Sequence, residues 1–267
     1  MKKLFISADI EGTCGIVNWE ETHGGGRLYD YFSAQMTREV RAAMDGAYAA
    51  GYITTVKDAH NGARNLDPMG LHPTARLVRG WERDVWCMMD GLNRDQYDAV
   101  AFTGYHAAAG DAGNPLSHTM DTIYNRVTLN GNPASEFRIN AYMAAYLGLP
   151  IVFLSGDESV CSAAKELVPG ITTVVSKTGM GSAVISRHPT VVVDEIRTAM
   201  EAALKNPPAA GCYLALPGHF VLDIEYADWN TAHRNSLYPG AETLDPKTIR
   251  FESDDYYEVM RFMHFCL

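Results

Sequence analysis

The sequence predicts an α/β fold: a mostly parallel sheet flanked by helices, with a smaller C-terminal α+β lobe. Three observations carry this expectation. Strand-like and helix-like runs alternate through the first two-thirds of the chain, as in βα repeats that build a parallel sheet. Three strand-like runs end directly in carboxylate or imidazole residues, and ligand groups gather at the carboxyl ends of parallel strands. Finally, 267 residues, 47% of them hydrophobic, suffice for one large α/β unit or a core with an appended lobe.

The elements follow in order. The opening strand contains Leu4-Phe5-Ile6 and runs into Ser7-Ala8-Asp9-Ile10-Glu11-Gly12. Gly24-Gly25-Gly26 reads as a mobile loop, lacking both the P-loop lysine and the spacing of a dinucleotide fingerprint. A helix is expected over Ala34–Ala50, rich in Ala, Met and Glu and stopped by Gly51. Strand-like segments recur at Ile53–Val56, Ala75–Val78, Ala99–Thr103, Ile151–Leu154 and Thr172–Val175. Tyr124–Leu129, ending at Asn130-Gly131, reads as the first arm of a hairpin. Ser135–Leu147 and Val191–Lys205 read as helices, the latter ending before Pro207-Pro208. Tyr213–Leu216 and His219–Tyr226 read as strands and Asp254–Phe265 as a terminal helix. The chain is expected to act as a single unit over 1–267, subdivided into a metal-binding core, 1–190, and a C-terminal lobe, 191–267.

The chemistry-bearing residues sit at strand ends. Alternation along an extended segment puts Asp9 and Glu11 on one side, where paired carboxylates repel and call for a cation. Asp58-Ala59-His60 and Gly104-Tyr105-His106 follow two later strands. Hard oxygen ligands plus imidazoles at one sheet edge read as a metal site, although Asp9 and Glu11 alone also suit a solvated turn. Asp58 is either a partner orienting His60 or a loop cap. His118 is either an acid/base group beside a metal or a structural histidine. Glu136, near a predicted helix start, has a sufficient reason for its place in the positive helix end. Lys177 reads as a substrate anchor or a surface charge, and Asp157 as a helix cap or a site residue. The remaining histidines (His23, His72, His188, His219, His233, His264) have no recurring context and read as structural.

Bulk properties exclude several classes. A formal net charge of −10 argues against nucleic acid or an anionic membrane as the main partner. Five dispersed cysteines without a CxxC pair suit a reducing cytoplasm and neither a disulfide framework nor a thiolate zinc site. The run after Met1-Lys2-Lys3 ends at Asp9, too soon for a secretory segment, and no stretch approaches a membrane span. A GxSxG elbow and an HExxH pair are both missing.

Taken together, the motifs resemble those of the D-aminopeptidase family, the M55 peptidases. Ser7-Ala8-Asp9-Ile10-Glu11-Gly12 is similar to that family's SxDxEG signature. The likeness continues through Asp58-Ala59-His60, Gly104-Tyr105-His106-Ala107, Ser117-His118-Thr119-Met120 and Glu136 with Asn140-Ala141-Tyr142. It then takes in Ser155-Gly156-Asp157, Lys177, Ile224-Glu225-Tyr226 and Pro239-Gly240, in order along nearly the whole chain. The resemblance implies two zinc ions per subunit, Asp9 bridging them, and Glu11, His60, His106 and Glu136 completing the ligand set. It implies a catalytic role for His118, a short peptide substrate and a ring-shaped homo-oligomer, typically a decamer. The implied activity is hydrolysis of the N-terminal bond of short peptides, D-Ala-D-Ala among them. Other expectations remain beside it: an L-selective aminopeptidase, another metal-dependent amidohydrolase, or a non-catalytic peptide-binding assembly protein.

Overall fold

Leu4, Phe5 and Ile6 of the first strand are wholly buried, as in a central parallel strand covered on both faces. The structure is a computed structural model that describes residues 1–267. In chain order the elements are β1 (Lys2–Ala8), α1 (Tyr29–Ala49), β2 (Tyr52–Asp58), β3 (Arg76–Val78), β4 (Ala99–Tyr105), β5 (Tyr124–Leu129) and β6 (Asn132–Pro133). There follow α2 (Glu136–Tyr146), β7 (Ile151–Asp157), α3 (Glu158–Leu167), β8 (Thr172–Met180), β9 (Ala183–Ser186) and α4 (Pro189–Lys205). The last are β10 (Phe220–Tyr226), α5 (Trp229–Asn235), β11 (Ala241–Asp245), β12 (Thr248–Ser253) and α6 (Tyr256–Cys266).

The larger sheet has the order β3-β2-β1-β4-β7-β8-β9, parallel except for β9. From β1 the chain steps outward to β2 and β3, then returns to the other side of β1 with β4. The strand order therefore reverses between β1 and β4, where an open α/β sheet leaves a crevice for ligands. One face is covered by α1 and α4, which pack on each other. The smaller sheet is antiparallel, in the order β11-β12-β10-β5-β6. Alternate residues of β10 (Phe220, Leu222, Ile224, Tyr226) are buried, the pattern of a sheet with one packed face. These residues share a core with α2 and α6.

Several boundaries differ from the sequence expectation. The smaller sheet takes β5 and β6 from mid-chain, and α4 packs on α1, so the two layers do not divide at residue 190. The reason is that the Tyr124–Leu129 hairpin pairs with β10, a contact of long sequence separation. Tyr213–Leu216 forms no strand. It has no ladder partner, its Tyr213 and Leu216 are exposed, and Pro217 follows. No helix is long and apolar enough to cross a membrane.

One buried group on α1 gives stability a pH dependence. The Glu39 carboxylate accepts hydrogen bonds from the Cys14 N–H at 3.0 Å and Gln35 Nε2 at 2.9 Å, but burial raises its pKa to about 7. A folded-state value above the ordinary 4.5 means that folding favours the protonated form. Stability from this group is therefore complete below pH 4.5 and is lost as pH rises through 7. Glu39→Gln keeps the acceptor oxygen and removes the charge. Its melting temperature should match the wild type near pH 4 and exceed it at pH 8; an equal difference at both pH values would disprove the assignment.

Candidate metal centre

Asp9 leaves the end of β1, His60 that of β2 and His106 that of β4, three adjacent strands of the larger sheet. Backbone bonds hold these turns in register: Asp9 N–H donates to Thr103 O at 2.9 Å, Ala59 N–H to Ala8 O at 2.8 Å, and Gly12 N–H to Gly104 O at 2.8 Å. The turns cross so closely that a Cβ on Gly12 would lie 1.8 Å from the Tyr105 carbonyl oxygen, so only glycine fits. Glu136 arrives from the other side, as the first residue of α2, behind the Ser135 cap.

The five side chains converge. Asp9 Oδ1 lies 3.4 Å from His60 Nδ1, which is 3.2 Å from Glu11 Oε2. Asp9 Oδ2 lies 3.3 Å from His106 Nε2, which is 3.2 Å from Glu136 Oε2. The site thus has two halves, with one oxygen of Asp9 in each. His118 borders the second half. Its Nε2 is 3.5 Å from Glu136 Oε1, its ring stacks on His106 with centroids 4.3 Å apart, and Trp19 packs edge-on at 5.2 Å.

Each imidazole is oriented by a backbone carbonyl. His60 Nε2 donates to Thr22 O, His106 Nδ1 to Ala107 O and His118 Nδ1 to Leu116 O, each at 2.9 Å. A carbonyl only accepts, so these nitrogens carry the protons and the inward nitrogens of the neutral rings present lone pairs. Those lone pairs face carboxylates. Buried Asp9 Oδ2, both Glu11 carboxylate oxygens and His106 Nε2 have no hydrogen-bond partner. Such groups are costly to leave unpaired. Metal-ion chemistry satisfies all of them at once, and imidazoles held by an outer hydrogen bond are the usual ligand form. Without an ion, protons take its place. Burial opposes charge on His106 and His60, but Glu136 and Asp9 beside the first, and Glu11 and Asp9 beside the second, push both pKa values well above the usual range. Burial likewise raises Asp9 and Glu136, and the neighbouring imidazoles outweigh it and hold both carboxyls below theirs.

Around the cluster, Asp58 and Asp157 take the capping roles that the sequence offered for them, and Lys177 takes neither of its two. Asp58 does not touch the His60 ring. Its carboxylate accepts from the Asn65 and Leu66 N–H groups and from Asn65 Nδ2, which also donates to His60 O, so Asp58 fixes the turn. Lys177 is neither a substrate anchor nor a surface charge. It is buried, and its ammonium donates to Glu11 O and Ile16 O, pinning the turn after β1; burial lowers its pKa to about 8. Asp157 caps α3 through Val160 N–H and also accepts from Ala107 N–H and Asn114 Nδ2.

A cavity of about 620 Å³ opens beside the cluster, and Asp9, Glu11, His60, His118 and Glu136 line it. His23 and His264, read from sequence as structural, also line it, as do Trp19 and Trp81. No local pattern marks these four residues, because they arrive from loops and a helix far apart in the chain.

The family model for D-aminopeptidase, of the M55 peptidases, matches residues 1–265. D-aminopeptidase of Bacillus subtilis (strain 168) is 31% identical over 264 residues, spanning 98% of this chain and 95% of that protein. The structure also superposes on the Zn-dependent D-aminopeptidase DppA from Bacillus subtilis, described as a self-compartmentalizing protease. The TM-score is 0.90 at 30% identity, covering 99% of this chain and 96% of that one. The chain belongs to the D-aminopeptidase family.

Proposed function

We propose that this protein is a zinc-dependent aminopeptidase with two zinc ions per subunit, releasing the N-terminal residue of short peptides, including D-amino-acid peptides such as D-Ala-D-Ala. The observation that carries this reading is the division of Asp9, one oxygen toward His60 and Glu11 and the other toward His106 and Glu136. Each half then offers an imidazole and two carboxylate donors, a set that suits borderline zinc. Bound there, zinc supplies Lewis acidity and lowers the pKa of water.

The chain's own residues do the rest. His118, with Nδ1–H fixed on Leu116 O, has Nε2 free to hold a proton on the cavity side. There it stabilises the developing oxyanion or protonates the leaving amine. Trp19 against the His118 ring keeps water from its apolar edge. Glu136 Oε1 accepts from Met120 N–H at 2.7 Å, which steadies the carboxylate facing both imidazoles. Exposed apolar residues such as Trp229 and Leu237 are available to contacts between copies, in keeping with a decameric ring.

Amine release from matched D- and L-dipeptides by zinc-loaded protein, with a chelated control, tests this reading. Chelator-sensitive cleavage of D-Ala-D-Ala over its L-twin is expected. L-selective cleavage would move the protein to the L-aminopeptidases. No cleavage of either, with zinc bound, would overturn the aminopeptidase assignment.

A further inference from the structure

We propose that the cavity beside the cluster is a subsite for one large apolar side chain, that of the substrate's N-terminal residue. Peptides beginning with leucine, methionine or phenylalanine are then preferred over alanyl ones. This inference rests on the aminopeptidase reading and deepens it.

Two helices build the subsite. On α2, Glu136, Ile139 and Met143 follow at i, i+3 and i+7, and all three line the cavity. The helix face that begins with a carboxylate at the cluster continues as apolar surface for two turns, about 10 Å at the α-helical rise. Met260, Met263 and Leu267, on α6 and just beyond it, repeat the spacing, and α6 packs on α2. The segment between β3 and β4 closes a third side with Trp81, Val85, Cys87 and Met88. Trp81 is held rigidly: its Nε1 donates to Asn61 O at 2.6 Å, and the buried Lys57 ammonium lies 4.0 Å from its ring centroid.

The lining also defines the kind of group it takes. No Lys or Arg lines the cavity, so an acidic side chain finds no ammonium or guanidinium partner there. Met143 and Met260 are 2% and 1% exposed, so their part of the lining is shut off from solvent, which suits a side chain and not a peptide running through. His23, Asp121, Thr122 and His264 are exposed at the rim, where the rest of the peptide leaves. Glu136 both belongs to the cluster and begins the α2 stripe, so a peptide whose first residue sits at the cluster has that residue's side chain beside the stripe. Methionine thioethers repack around straight, branched or aromatic groups, so size and apolarity are selected more than shape.

The test is kcat/KM of the zinc-loaded protein on dipeptides that share a second residue and begin with Ala, Leu or Phe, each in both hands. In parallel, calorimetry measures binding of free leucine and free alanine, which are not hydrolysed. Leucyl or phenylalanyl substrates should exceed the alanyl one by about ten-fold or more, the size expected for two or more extra buried methylenes. Leu267→Asp, at a half-buried position and checked by an unchanged melting temperature, should draw that ratio toward one and remove the leucine advantage in binding. Equal or alanine-favouring ratios, or a ratio unmoved by Leu267→Asp, would overturn the subsite. Tighter leucine binding without any cleavage would keep the subsite and sink the aminopeptidase reading.

Discussion

Asp9→Ala is expected to strip the protein of most bound zinc and to lower turnover by about three orders of magnitude or more, as losses of a central active-site group do. Asp9 spans both halves of the cluster, for Oδ1 faces His60 and Oδ2 faces His106. Glu11 makes its ion-pair contact with His60 and also lies near His106, while Glu136 makes its contact with His106. Elemental analysis of the purified variant is the decisive readout, with turnover as the second. The fold should survive, because the alanine leaves intact the backbone bond from residue 9 to Thr103 and the Lys177 contacts beneath the turn. Full zinc occupancy with normal turnover would remove Asp9 from the centre of the site.

The second large effect is expected at His118. His118→Ala should retain zinc and lose roughly two or more orders of magnitude in turnover, the range for a missing acid/base or oxyanion group. His118 meets the cluster through one Glu136 oxygen at 3.5 Å and by stacking on the His106 ring, and that Glu136 oxygen keeps the Met120 N–H when the imidazole is gone. A loss in kcat with KM nearly unchanged would fit a group that acts in the transition state. A wild-type rate would return His118 to a structural part, leaving its stacking on His106 as its contribution.

The strands carrying Asp9, His60 and His106 were legible because each is a short apolar run with a polar end, a purely local pattern. By local pattern Glu136 was legible only as a helix-start residue, and the resemblance alone marked it as a ligand; its aim toward His106 depends on how α2 docks over the sheet. The β11–β12 pair left no trace, since β11 is mostly exposed and lacks an alternating buried face. Helix α3 was hidden by its start, where Asp157 both ends β7 and caps the helix. The cavity walls were the least visible part. Trp81, Met143 and Met260 belong to no local motif, and only the packing of three distant segments turns them into one surface.

The struts beneath the ligand turns also bear on how the ion and the fold are coupled. In small zinc domains the free energy of ion uptake is the free energy of folding, and chelators unfold them. Here Asp58, Asp157 and Lys177 tie the three turns down with hydrogen bonds that owe nothing to the ion. Under the proposed zinc reading, uptake and folding are therefore expected to be separable equilibria. Chelated protein should keep its fold, and the choice among divalent ions would fall to the spacing of these side chains.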